Sequence, residues 1–113
     1  MTIHLDEDIF EVVKNGTKKI ELRVNDEKRR KLKEGDIIIF LKRPEEKETI
    51  EALVEKLEYY NNFKEAIDNY EIEDIYTKEY TKEDFIKLLS RFYSNEEIEK
   101  YGVVAIKFKI IKK

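Results

Sequence analysis

The chain has no cysteine, one histidine, one proline and three glycines in 113 residues. Each shortage removes a class of chemistry. Without cysteine there is no disulfide and no His/Cys zinc site. His4 is the one imidazole, so a Ser-His-acid triad would have to use it. Neither Ser90 nor Ser94 lies in a nucleophile-elbow pattern. Three scattered glycines are too few for a phosphate-cradling glycine-rich loop. No cluster of acids stands out from the general acidity to mark a Mg²⁺ site, so neither a metal nor a cofactor is expected. No apolar run approaches membrane-spanning length, and the first residues carry no signal-peptide pattern. The expectation is a cytoplasmic protein with no membrane partner, monomeric by default.

What is present is charge and aliphatic bulk. Charged residues make up 43% and hydrophobic residues 41%, too apolar and too periodic for a disordered chain. Residues 1–113 are expected to form one domain with a modest core. The Lys/Glu-rich charge is also seen in heat-adapted proteins. The net charge of −3 argues against wholesale polyanion binding. Its distribution says more. Between Lys14 and Arg43 there are 11 Lys and Arg against 5 Asp and Glu, whereas Pro44 to Tyr101 holds 8 against 17. The last twelve residues are again basic. If the two basic segments neighbour one another, one face becomes a focused anion site on an acidic protein. Mutual neutralisation across the fold is the alternative.

The periodicities give an ordered set of elements. Asp6 begins a helix with acids in its first turn, favourable at the positive end of the dipole. Ile9, Phe10 and Val13 form its apolar stripe, and Asn15-Gly16 stops it. Lys18 to Val24 alternates as a strand. Asn25 to Leu32 reads as a charged helical turn. Gly35-Asp36 launches Ile37–Leu41, a continuous apolar run and a buried strand. Arg43 to Glu48 reads as a hairpin loop. Thr49 to Tyr60 fits both periods: Ile50, Leu53, Val54 and Leu57 suit a helix, whereas Ile50, Ala52 and Val54 suit a strand paired with the preceding one. A short helix carries Phe63, Ala66, Ile67 and Tyr70 behind an Asn62 cap. Another starts at Thr81, with Asp84 in a capping-box position and Phe85, Leu88, Leu89 and Phe92 as its buried stripe. Val103 to Ile111 alternates strongly. Helix, strand, strand, strand, helices, strand is the order expected, and a small barrel with helices packed on it is the natural architecture.

Gly16-Thr17-Lys18-Lys19-Ile20-Glu21-Leu22-Arg23 is the most informative stretch. On a strand, Glu21 and Arg23 point to one face while Ile20, Leu22 and Val24 anchor the other. An apolar face that fixes a charged one makes a rigid polar site. The plain alternative is a solvated ion pair. Lys18 is either a surface lysine or, closed in a cleft, a base or nucleophile. Arg23 offers a planar donor fork for phosphate or a base edge. Lys28, Arg29, Arg30, Lys31 and Lys33 form a run that is either solvated or tracks a phosphate backbone. Tyr59, Tyr60, Tyr76 and Tyr80 fit no stripe cleanly, so one or two are available to stack on a base.

Phe10, Gly16-Thr17-Lys18, Glu21 and Arg23, then Gly35-Asp36 and the ending Tyr101-Gly102-Val103-Val104-Ala105-Ile106, together resemble the ASCH domain of the PUA-like superfamily. The resemblance spans nearly the whole chain. It implies an α+β fold, a small PUA-like mixed β-barrel with helices packed around it, and favours a strand at Thr49 to Tyr60. It also implies a cleft near the first helix that binds RNA or a nucleotide-derived ligand. The motif's Lys18, Glu21 and Arg23 are the candidates for base or phosphate recognition there, and the charge run adds Lys28, Arg29 and Arg30 as candidates to hold an RNA backbone. Some relatives are amidohydrolases that deacetylate acetylated cytidine, using a lysine, a threonine three residues on, and an acid before the final helix. Lys18 matches the lysine, and Glu21 stands at the threonine position. Glu79 is the candidate acid, with Glu73 and Asp74 as alternatives. Deacylation of such a nucleoside by Lys18, Glu21 and Glu79 is the alternative function.

Overall fold

A computed structural model describes residues Met1–Lys113. The elements run β1 (Thr2–Leu5), α1 (Glu7–Lys14), β2 (Ile20–Val24), α2 (Glu27–Arg30), β3 (Ile37–Lys42), β4 (Thr49–Tyr60), α3 (Phe63–Asp68), α4 (Ile72–Ile75), α5 (Lys82–Phe92), α6 (Asn95–Tyr101) and β5 (Val103–Lys112). The five strands form one sheet in the order β1-β3-β4-β5-β2. It curls into a half-barrel of the α+β class expected. Register shifts at Glu51/Ala52 and Val54/Lys56 break the β4–β5 ladder, and such bulges raise the local twist that a curling sheet needs. No helix is long and apolar enough to cross a membrane.

The sheet buries both faces. Inside the curl, Ile9, Phe10 and Val13 of α1 pack on Ile38, Phe40, Ile50, Val54, Ile106 and Phe108. On the other face, Phe63, Ala66 and Ile67 of α3, with Phe85 and Leu89 of α5, cover Ile20, Leu22, Val24, Val103 and Ala105. Residues 49–60 are a strand, antiparallel to both β3 and β5, so the hairpin and not the helical spacing decided this segment. Tertiary pairing on two sides outweighs the local propensity. Asn62 caps α3 through Glu65 N, and Thr81 with Asp84 forms the full capping box of α5. The two basic segments do neighbour one another, since β2 pairs antiparallel with β5.

Two expectations need correcting. The first helix is preceded by a strand: β1 runs parallel to β3, pairing Ile3 with Phe40 and Leu5 with Lys42. Four residues are too few to show a periodicity, and the parallel partner lies more than thirty positions away. Phe92 is not part of the buried stripe of α5. It is 70% exposed, whereas Phe85 and Leu89 are buried, because the last turn of α5 runs past the core.

Candidate functional site

β1 and β2 are the two edges of the half-barrel, and the gap between them is a cleft of about 340 Å³. His4 and Leu5 of β1 and Ile9 of α1 line one wall. Glu21, Leu22 and Arg23 of β2 line the other, and Leu88, Phe92 and Tyr93 close the side from α5.

The motif builds its floor. Gly16, at φ +86, adopts the left-handed conformation that ends α1. The chain then folds back so that the Lys18 amide donates to the Val12 carbonyl. This turn sends the Lys18 side chain inward, where it is 2% exposed. Its ammonium donates to the carbonyl oxygens of Ile20 (2.6 Å) and Ile75 (2.7 Å), and Glu21 Oε1 lies 2.9 Å away. All three N–H groups are engaged. Glu21 is itself 6% exposed. Its Oε2 accepts from Arg23 Nε at 2.8 Å and lies 2.7 Å from the second guanidinium nitrogen. The result is a chain, Lys18–Glu21–Arg23, whose outer member reaches the cleft with 22% of its side chain exposed.

Electrostatics follow from that geometry. Burial drags the Lys18 ammonium below its ordinary range, opposed by Glu21. Three acceptors converge on it, which an uncharged amine with two N–H groups could not satisfy. Burial would push the Glu21 carboxyl up, but Lys18 and Arg23 together reverse this and hold it at about 2. Glu21 raises Arg23 further, and the Tyr93 hydroxyl adds to the effect. Tyr76, at the cleft, is pushed up to about 12 by burial and by Tyr80 and Asp8.

The sequence-derived candidates therefore separate. Lys18, Glu21 and Arg23 meet in the cleft, and the solvated alternative does not hold for Lys18 or Glu21. Lys28, Arg29 and Arg30 stand on α2 and line none of it. Arg30 donates to the Asn25 carbonyl and lies 5.4 Å from the Tyr101 ring centroid, while Arg29 pairs with Asp26 at 3.5 Å. Glu79 is exposed outside the cleft, its amide donating to Thr77 Oγ1. Among the four tyrosines, Tyr76 alone lines the cleft, stacked on Phe85 at 4.4 Å. Sequence reasoning missed His4, Arg43, Phe92 and Tyr93. The adjacent Phe92-Tyr93 at a helix end was the one local signal. A larger groove of about 730 Å³ lies between α3, α5 and α6, near Tyr60, Asn62 and Lys100, but holds no comparable buried charge chain.

Comparison with known proteins agrees with this architecture. Hypothetical protein PH0355, known from a crystal structure, is 39% identical with a TM-score of 0.85 over 97% of each chain. Protein PF0455 from Pyrococcus furiosus, solved by NMR in solution, is 34% identical with a TM-score of 0.77 over 100% of each chain. No curated protein sequence matches the chain. The model of the ASCH domain matches residues 3–112, the span that holds both walls of the cleft and the motif on its floor. The chain belongs to the ASCH domain family, within the PUA-like superfamily.

Proposed function

We propose that this domain binds RNA or a nucleotide, and that its cleft receives one base or phosphate against Arg23. The observation that carries the reading is the pinned guanidinium. A buried carboxylate and a buried ammonium hold it at a cleft wall among Leu88, Phe92 and Tyr93. Burying an ion pair costs several kcal/mol per ion and is weak evidence of stabilisation, so a positioning role fits it better. Arginine held in one orientation recognises planar acceptors, and neighbouring aromatic and aliphatic side chains give a base its apolar surface. Lys28, Arg29 and Arg30 enter this reading as a separate contact for the RNA backbone.

The test is a titration of the protein with a short single-stranded RNA and with nucleoside monophosphates, followed by amide chemical shifts. Saturable binding that weakens with salt, with shifts at Arg23, Phe92 and Tyr93, is expected. Absence of binding by every ligand at millimolar concentration would overturn the reading. The deacylase alternative has the 2.9 Å Lys18–Glu21 contact in its favour and the outlying Glu79 against it. Cytidine release from acetylated cytidine that disappears in a folded Lys18→Ala variant would establish it instead.

A further inference from the structure

Hydrogen-bond accounting on the buried charge chain narrows the ligand. Lys18 spends its three N–H groups on Ile20, Ile75 and Glu21, so it has none to offer. Glu21 uses one oxygen on Lys18 and the other on both nitrogens of one Arg23 edge, with 8% of its side chain exposed. Arg23 begins with five N–H groups. Glu21 holds the Nε and Nη2 edge, leaving three N–H groups on the terminal nitrogens, two of them parallel on the outer edge of the fork. At the rim, Arg43 lies 3.8 Å from Asp6 and the His4 ring is hydrogen-bonded to Glu46 at 2.5 Å. The deep polar feature that a ligand meets is thus a donor pair of fixed orientation beside apolar walls.

We propose that the cleft selects a nucleobase with two adjacent hydrogen-bond acceptors on one edge and rejects adenine. Guanine offers N7 and O6, and cytosine offers O2 and N3. Adenine places its N6 amino donor beside N7 or N1, so one arm of the fork would face another donor. A donor left facing a donor is what makes such sites selective. This inference rests on the nucleotide-binding reading and adds base selectivity to it.

The experiment measures the affinities of GMP, CMP and AMP for the intact protein at one salt concentration, with inorganic phosphate as competitor. The three nucleotides carry the same phosphate, so differences report the base. GMP and CMP are expected to bind about ten-fold or more tightly than AMP, in line with one mismatched bidentate contact. Arg23→Lys, which keeps the charge and loses the fork, should bring the three within about two-fold of each other. Equal binding of AMP by the native protein overturns the inference and leaves nucleotide binding standing. So does phosphate that competes as strongly as GMP. Failure of all three nucleotides to bind removes both. The comparison in the native protein decides the matter even if Arg23→Lys does not fold.

Discussion

Replacing Lys18 with methionine tests the idea that a single buried ammonium organises the cleft floor. Methionine keeps the length and apolar stem of the side chain, so the change removes charge and donors with little loss of volume. Three acceptors then lose their donor: the carbonyl oxygens of Ile20 and Ile75, and Glu21 Oε1. Breaking a buried pair by deleting one partner costs about 3–5 kcal/mol, because the other charge is left uncompensated. Here Arg23 still holds Glu21 through two nitrogens, which moderates that term. The two orphaned carbonyls add about 1–3 kcal/mol each where no water reaches them. With the ion-pair term cut to about 2 kcal/mol by Arg23 and each carbonyl at its low end of about 1 kcal/mol, a loss of about 4 kcal/mol follows, a large share of the ~5–15 kcal/mol available to a domain of this size. Equilibrium unfolding in urea, with unchanged m-value, measures it. A loss below about 1 kcal/mol, the level of a surface ion pair, would refute the reasoning. Glu21→Gln alone and with Lys18→Met closes a double-mutant cycle, in which the coupling between the two should exceed about 1 kcal/mol.

Two further outcomes follow from the same geometry. The Glu21 carboxyl is held at about 2 against an ordinary 4.5, so its folded form is favoured when ionised. That contribution, about 3 kcal/mol, is complete above pH ~4.5 and is lost as pH falls toward and below ~2. The stability gap between the native protein and Glu21→Gln should therefore shrink across that window. A gap that stays constant on acid titration would show that Glu21 does not titrate as the fold requires. Gly102→Ala should cost at least about 1 kcal/mol, because the residue sits at φ +71 and an added Cβ would lie 2.9 Å from the Tyr60 carbonyl oxygen. Thermal unfolding at an unchanged midpoint would contradict this.

Local patterns carried the elements and half of the site. The two-residue repeat put Glu21 and Arg23 on one face, and the structure joins them by two short contacts. Caps at Asn62 and Thr81 were legible because their partners lie three residues away. The burial of Lys18 was not legible. Its second carbonyl partner, Ile75, is 57 residues distant and arrives only when α4 lies across β2. The opposite wall of the cleft failed for the same reason. His4 and Leu5 face β2 only because β1 adds in parallel to the far edge of the sheet. Phe92 failed differently. The helical period continued through it, but the core that would have covered it did not.

The charge pattern also changes meaning once the fold is known. The conspicuous basic run at residues 28–33 sits on and beside α2, outside the cleft, where Arg29 and Arg30 already have partners. The charge that matters to the proposed reading is smaller in number and harder to see. Two cations flank one carboxylate, so Lys18, Glu21 and Arg23 together leave one positive charge uncancelled at the cleft wall. In a buried setting one charge produces a stronger local field than several in water. The molecule as a whole is negative, with a net charge of −3, so that field is confined to the cleft and does not extend over the surface. A domain built this way would discriminate among anionic ligands by the geometry of one guanidinium, with modest help from long-range attraction. Its binding should accordingly show a shallow salt dependence for a single nucleotide. A steeper one appears only with longer RNA, if α2 contributes phosphate contacts of its own.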